Sequence, residues 1–218
     1  MTDNCDYQTG GTEAFSHVSV MCDEVVSVLS EVPDGLVVDA TLGAAGHASA
    51  LLAANDGLSI LGLDQDEQAL VAAGTRLAPH GDRVTLRHTR FDGLADAVRS
   101  LGHTQLSGAL FDLGVSSPQL DHADRGFSFR NDGPLDMRMD RSKGITAASL
   151  VNTIDEGSLI GVLRRNSDER QAPRIAKAIV ANRPFSTTGQ LAEVVRDAVP
   201  AAVRRKGGHP ARKTFQAL

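Results

Sequence analysis

Acidic side chains lie at or near the ends of three short apolar stretches of this sequence. Asp39 follows LVV, Asp64 ends SILGLD and Asp112 lies near the end of GALFDL. In an open α/β sheet, ligands bind beyond the carboxyl ends of the strands, where an acid accepts hydrogen bonds from ribose hydroxyls. Because like charges repel each other, three acids at one edge favour a nucleoside-type ligand. The structural alternative is that Asp64 or Asp66 caps the next helix.

Two glycines follow the first of these acids. DATLGAAGHASALL places Gly43 and Gly46 before a helix that begins near His47. Glycine lets the backbone approach a ligand, and a helix N-terminus offers free N–H donors. The G-x-x-G spacing differs from the G-x-G-x-x-G dinucleotide fingerprint, which disfavours a nicotinamide oxidoreductase. A plain strand-to-helix turn is an equal alternative. Phe91, after the third apolar stretch, would pack on an adenine or fill the core.

The apolar stretches predict strands, and the segments between them predict helices. The predicted strands cover residues 36–40, 59–64, 84–88 and 108–113. This alternation indicates an α/β protein with a doubly wound parallel sheet. Four helical segments without a strand follow residue 140: TAASLVNTI, DEGSLIGVLRR, APRIAKAIVANR and TTGQLAEVVRDAVP. We therefore predict a flexible tail over residues 1–16, a Rossmann-like domain over 17–140 and a helical domain over 141–218.

A long segment follows the fourth predicted strand. FDLGVSSPQLDHADRGFSFRNDGPLDMRMDRSKG, residues 111–144, has no clear helical or strand period. Loops of this length are uncommon in compact domains and are usually functional or disordered. If the fourth strand lies beside the first, its outer edge lacks a partner, and the final strands of a doubly wound sheet are missing.

Charge is divided unevenly along the chain. Residues 1–163 hold 10 Lys/Arg and 23 Asp/Glu, whereas residues 164–218 hold 12 and 4. The basic end indicates either a phosphate-rich partner or an Arg-rich solvated helix face. Cys5 and Cys22 show no metal-ligand spacing and no disulfide framework, which is typical of the cytoplasm. No apolar run approaches the roughly 18 residues of a membrane helix, so no membrane association is expected.

Four stretches together resemble one protein family. DATLGAAGHASALL, LGLDQD, GALFDLGVSSPQLDHADRGFSFRNDGPLDMRMD and HPARKTFQAL resemble the bacterial small-subunit ribosomal RNA cytosine-N4 methyltransferases, the MraW or RsmH family. The resemblance runs from about His17 to Leu218. It implies a class I S-adenosylmethionine (SAM)-dependent methyltransferase fold with an inserted all-helical domain. The implied substrate is a cytosine of 16S ribosomal RNA in the small ribosomal subunit, and a homodimer is one option for the assembly.

Carried over by position, the resemblance also implies site residues. The SAM site would contain Gly43, Ala45, Gly46, His47, Asp64, Phe91, Asp112 and Gln119. Ala44 and Ala45 stand where relatives more often have glycine, which is tolerable only if neither needs a positive φ. Relatives also continue past TFQAL, so we expect a truncated product that is poorly stable and weakly active or inactive. An RNA-binding fragment without activity, or a SAM enzyme with another substrate, is the alternative.

The chemistry asks for a positioned amine. An exocyclic cytosine amine is a poor nucleophile, so acceptors must hold it in line with the methyl group and take up its acidifying protons. Asp112, Ser116 and Ser117 in DLGVSSP are the catalytic candidates. Binding of the SAM amino group by Asp112 is an equal alternative. Ring-carbon methylation would need a cysteine nucleophile, and neither cysteine is near this loop. No metal ion is required.

A base inside a duplex cannot reach such a site, so the target must be exposed RNA. Basic residues of the long loop and of the helical segment are candidates for phosphate contacts. They are Arg125, Arg130, Arg138, Arg141, Arg164, Arg165, Arg204, Arg205 and Lys206. Taken one at a time, each is as readily an ordinary surface residue.

Overall fold

A computed structural model describes residues 6–7, 17–204 and 208–218 of the protein. In chain order, the strands are β1 (Asp6–Tyr7), β2 (His17–Val18), β3 (Gly35–Asp39), β4 (Leu58–Asp64), β5 (Val84–His88) and β6 (Gly108–Leu110). The α-helices are α1 (Cys22–Leu29), α2 (Gly46–Ala54), α3 (Glu67–Leu77), α4 (Leu94–Ser100), α5 (Ser117–Asp121), α6 (Ala147–Thr153), α7 (Glu156–Ser167), α8 (Ala172–Ala181), α9 (Thr188–Ala198), α10 (Ala201–Arg204) and α11 (Arg212–Ala217). No helix in these ranges is long and apolar enough to cross a membrane.

A parallel sheet with the strand order β5-β4-β3-β6 forms the centre of the first part of the chain. The fourth predicted strand therefore lies beside the first, and among the described residues β6 pairs only with β3. Its predicted end at residue 113 is wrong, because β6 ends at Leu110. The backbone N–H of Asp112 leaves the ladder and donates to Thr41 Oγ1 at 2.6 Å.

Both faces of this sheet are covered by helices. Val37 and Ile60 pack on one face against Leu51 of α2. Val38, the next residue of β3, packs on the other face with Val98 of α4. Successive side chains of a strand point to opposite faces, so strands covered on both sides read as nearly continuous apolar runs. This arrangement confirms the predicted doubly wound α/β class.

Helices dominate the second part of the chain, as predicted. α6, α7, α8 and α9 correspond to the four helical segments after residue 140. Polar caps explain where two of them begin, since Asp155 accepts from Ser158 N at 2.9 Å and Thr187 accepts from Gln190 N at 3.3 Å. Pro173 lies in the first turn of α8, as expected for a residue without an N–H. The buried faces of these helices form one apolar core.

The long loop belongs to this helical part. The chain divides into two compact units, Met1–Gly114 and Val115–Leu218. Leu135 is buried in the core of the second unit, and its N–H donates to Ser186 O at 3.0 Å. The N–H of Thr188 donates to Gly133 O at 2.9 Å. This division falls earlier than the predicted boundary at residue 140, because backbone bonds fasten the loop to the segment before α9.

The N-terminal segment differs from expectation at one residue. Cys22 is disulfide-bonded, which contradicts the prediction that the cysteines form no disulfide. Cys5 and most of the predicted tail over residues 1–16 lie outside the described residues. β1 pairs antiparallel with β2 in the register Asp6↔Val18. This pairing places residues 6–7 beside residues 17–18, which precede α1 and Cys22, and no local sequence pattern predicts it.

Candidate nucleotide site at the carboxyl edge of the sheet

Asp39 is the last residue of β3 and lies at the predicted ligand edge. It is 1% exposed, its Oδ1 accepts weakly from Thr41 N at 3.3 Å, and its Oδ2 has no hydrogen-bond partner among the described residues. Burial raises the pKa of Asp39 to about 7, and the negative charges of Asp64 and Asp112 contribute to this increase. The charges of Asp64 and Asp112 therefore act on Asp39, whose Oδ2 accepts no hydrogen bond from the described residues.

Asp64 connects the end of β4 to the glycine loop. Its Oδ2 accepts from Gly43 N and its Oδ1 from Asp66 N, both at 2.8 Å. Burial raises the pKa of Asp64, although these N–H donors favour the ionised form. Asp66 caps α3 by accepting from Gln68 N at 3.1 Å. The two acids thus divide the roles that the sequence left open, because Asp66 forms the cap and Asp64 holds the loop.

The glycine loop between β3 and α2 contains one glycine with free space around it and one alanine with a strained backbone. Gly43 has φ 53°, and a Cβ added there would meet no atom of the structure within 4 Å. Ala45 has φ 61° and is fully buried. A left-handed conformation costs an L-residue about 1–2 kcal/mol. The condition set for alanine in this loop therefore fails at Ala45, while Ala44 is not among the residues with positive φ.

His47 lies in the first turn of α2 and is 7% exposed. Its Nε2 lies 2.8 Å from Val20 O, so the ring fixes the chain before α1. The first turn of a helix has N–H groups without a partner inside the helix. A ligand contact by His47 is therefore expected from its backbone N–H rather than from its ring.

Two aromatic rings lie in edge contact within the first unit. Phe91 follows Thr89 and Arg90, the two residues after β5, and is 41% exposed. Phe111 directly follows β6 and is 47% exposed. Their centroids are 6.2 Å apart with the ring planes at 82°. Sequence reasoning missed Phe111, although its position immediately before Asp112 is a signal. It also missed Thr41, whose hydroxyl fixes the backbone of Asp112.

The remaining predicted site residues belong to the second unit. Ser116 caps α5, and its N–H donates to Gln119 Oε1 at 3.0 Å in a capping box. Gln119 is 5% exposed, so part of its hydrogen-bonding capacity stabilises the loop itself. Ser117 is the first residue of α5. The structure thus groups the strand-end residues in the first unit and these three residues at the start of α5 in the second.

Most arginines of the long loop are engaged within the loop. Arg125 is 3% exposed and donates to the carbonyl oxygens of Arg138 and Met139 at 3.2 and 3.1 Å. Arg138 forms a bidentate pair with Asp136 at 2.7 and 2.9 Å, which lowers the pKa of that carboxyl. The geometry gives no support to RNA contacts by Arg125 or Arg138, because both already satisfy acceptors of the loop.

The other predicted cations differ in their surroundings. Arg141 pairs with Asp124 at 3.2 Å, and Arg204 lies 3.9 Å from Asp197. Arg130 is exposed, and no ion pair joins it to another described residue. Arg164 and Arg165 are exposed on α7. Arg205 and Lys206 lie outside the described residues.

Comparisons with known proteins agree with the motifs. The model of the MraW methylase family matches residues 14–218. A ribosomal RNA small subunit methyltransferase H from Mycobacterium sp. (strain KMS) is 53% identical over 213 residues, which cover 94% of this chain and 58% of that relative. Proteins of the same name from Saccharopolyspora erythraea and Symbiobacterium thermophilum are 52% and 50% identical, over 97% and 94% of this chain.

The shared region is only part of each relative. The chain spans 58% of the Mycobacterium protein and 66% of each of the other two. The family model nevertheless covers the sheet, the glycine loop, the long loop and the helical unit, because its match runs from residue 14 to residue 218. The chain therefore belongs to the MraW methylase family.

Proposed function

We propose that the protein is a SAM-dependent methyltransferase that methylates the exocyclic N4 amine of a cytosine in 16S ribosomal RNA. The observation that carries this proposal is the link between Asp64 at the end of β4 and the open glycine at position 43, 2.8 Å apart. The names of the relatives support a small-subunit ribosomal RNA substrate. Such a substrate also places the protein in the cytoplasm.

The residues at this edge fit SAM in charge and shape. Asp64 would accept from the ribose hydroxyls with its remaining lone pairs. Phe91 would stack on the adenine. The buried Oδ2 of Asp39 lacks a donor among the described residues and would face the positive charges of the ligand. When bound, SAM supplies a methyl group on a sulfonium, which leaves readily as a thioether.

The residues after β6 would position the cytosine amine. Thr41 fixes the backbone of Asp112, whose side chain is exposed. An ionised carboxylate offers only acceptors, so Asp112 suits either an acidifying cytosine amine or the ammonium group of SAM. The resemblance to the family implies Ser116 and Ser117, in the second unit, as further candidate acceptors. Proximity and orientation, rather than a covalent enzyme adduct, supply the rate increase.

Asp64→Asn is expected to lower SAM affinity about 10- to 100-fold, because one charge-assisted hydrogen bond contributes about 1.5–3 kcal/mol. The asparagine amide would also point a donor at an N–H group, either of Gly43 or of Asp66. Isothermal titration calorimetry measures the change. Asp56→Asn is the matched control, since Asp56 is fully exposed and precedes the opposite end of β4. Unchanged affinity in Asp64→Asn would contradict the assignment.

The activity itself is tested by methyl transfer from radiolabelled SAM to 16S ribosomal RNA and to small ribosomal subunits. Nuclease digestion and mass spectrometry then locate the product, and N4-methylcytidine is expected. Methylation at the ring carbon would overturn the proposed mechanism. Thermal stabilisation by NAD but not by SAM would favour an oxidoreductase. Binding of both SAM and RNA without transfer would favour the fragment alternative.

A further inference from the structure

The end of the α7–α8 helical hairpin carries a cluster of exposed cations. Arg164 and Arg165 lie in the last turn of α7, Arg170 lies in the connection, and Arg174 and Lys177 lie in α8. All five side chains are exposed. We call these five residues the hairpin patch. Only the first two were singled out from the sequence.

Local backbone geometry brings together the two helix ends that carry these residues. Asp168 ends α7 with φ 49°, and its N–H donates to Arg164 O at 3.0 Å. The chain then reverses within residues 168–171, so the last turn of α7 and the first turns of α8 are neighbours. Leu163 and Ile175 point into the core of the unit. The cations therefore occupy the solvent side of one end of the hairpin.

Few acidic groups neutralise this end of the hairpin. Among the described residues, no acidic side chain lies within 4 Å of any charged group of the patch. Glu169 is buried, and its Oε1 accepts from Gln171 N at 2.7 Å. Asp168 is exposed, but Lys213 of α11 donates to its carbonyl oxygen at 2.9 Å and adds another cation nearby. The local charge is therefore clearly positive.

Several other cations of the protein already have a carboxylate partner. Arg138 is paired with Asp136, and Arg196 is paired with Asp197. Arg99 is paired with Asp96 one turn away. A paired arginine must give up its carboxylate before it binds an external anion, whereas a solvated one has only water to lose. The hairpin patch is thus better suited to an external anion than the arginines that carry a partner.

We propose that the hairpin patch binds the phosphate backbone of RNA, an inference that rests on the proposed function. Four of its five residues are arginines, whose planar forks suit phosphate oxygens. The exposed large apolar residues of the described chain include none between residues 156 and 181. Phosphate contacts fix the position of a nucleic acid without reading its sequence, so we expect the patch to contribute affinity and orientation rather than sequence recognition.

The test compares two double variants of the full 218-residue chain. Arg170→Gln/Arg174→Gln removes two patch cations, and Arg99→Gln/Arg196→Gln removes two paired cations. Both variants lose the same net charge. Fluorescence anisotropy with a labelled RNA stem-loop, measured at several salt concentrations, gives affinity and salt dependence. The patch variant is expected to bind about tenfold more weakly, with a log–log salt slope smaller by about 1.5–2. The control variant should change by less than twofold.

Each outcome decides for or against the inference. Equal losses in the two variants would mean that only net charge matters and would overturn it, as would an absence of RNA binding by the parent chain. If poly-glutamate displaces the labelled RNA more strongly than unlabelled RNA does, the patch suits an acidic protein partner and the RNA proposal is overturned. SAM affinity is measured on the same variants. If the patch variant loses RNA affinity and the parent chain binds no SAM, the patch proposal holds and the proposed methyltransferase is rejected.

Discussion

Asp39→Asn is expected to stabilise the ligand-free protein at pH 8 by about 2–3 kcal/mol. The pKa of Asp39 rises from 3.8 to about 7 in the folded chain. Since one pH unit corresponds to about 1.4 kcal/mol, ionised Asp39 costs the folded state up to about 4 kcal/mol. An asparagine carries no charge at any pH, so the variant does not bear this cost. Its buried amide hydrogens need acceptors, which reduces the gain by about 1–2 kcal/mol.

The pH dependence of this effect has a definite sign. Between pH 4 and 7, unfolded Asp39 is ionised while folded Asp39 retains its proton. The folded state therefore binds more protons, and the free energy of unfolding falls as the pH rises through this window. Below pH 4 both states are protonated, and above pH 7 both are ionised. The asparagine variant should lack this contribution to the slope.

Urea unfolding at pH 5 and pH 8 measures both quantities. Asp82→Asn is the matched control, because Asp82 is an exposed acid of the same unit. We expect the stability difference between Asp39→Asn and the parent to be larger at pH 8 than at pH 5. The control should show no such difference. An Asp39→Asn variant less stable than the parent at pH 8 would refute the assignment of an ionisation penalty to Asp39.

Gly126→Ala is expected to destabilise the second unit by at least about 3 kcal/mol more than Gly144→Ala does. Both glycines have φ 74°, so both alanines carry the same left-handed strain of about 1–2 kcal/mol. At Gly126 an added Cβ would lie 2.3 Å from Pro134 O and 2.7 Å from Asp136 N. These are backbone atoms that cannot rotate away. At Gly144 no atom of the structure lies within 4 Å of the added Cβ.

Chemical denaturation of the two variants gives this difference directly, because the shared strain cancels. Amide hydrogen exchange over the long loop should rise in Gly126→Ala and stay near the parent value in Gly144→Ala. Equal stability of the two variants would show that the loop shifts to accommodate the methyl group. The loop contacts described above would then contribute less rigidity than their geometry indicates.

Local patterns predicted most of the fold. β4 begins one residue before its predicted start, and β5 matches its predicted bounds. Apolar periodicity is a property of neighbouring residues, so sequence alone reveals it. The end of β6 was missed because the N–H of Asp112 bonds to Thr41, 71 positions away in sequence. No local pattern contains that partner.

In the candidate site, too, contacts between near neighbours were predictable from the sequence and contacts between distant residues were not. Asp64 and Asp66 were predicted from their position at the end of a strand, and the cap by Asp66 is a contact between near neighbours. The burial of Arg125 depends instead on carbonyl groups more than ten residues away. Composition identified it as a cation but did not reveal that the loop folds around it. The positive φ of Ala45 likewise depends on how the loop joins β3 to α2.

The contacts between the long loop and the segment before α9 also affect how the chain folds during synthesis. Gly133 N donates to Thr188 Oγ1, and Gly189 N donates to Asp132 Oδ1, across 55 and 57 positions in sequence. A nascent chain emerges from its N-terminus, and contacts of long sequence separation cost more loop-closure entropy than local ones. α7 and α8 can therefore form while the loop still lacks its partners. The loop that carries the proposed chemistry reaches its final shape only after Gly189 has left the ribosomal exit tunnel.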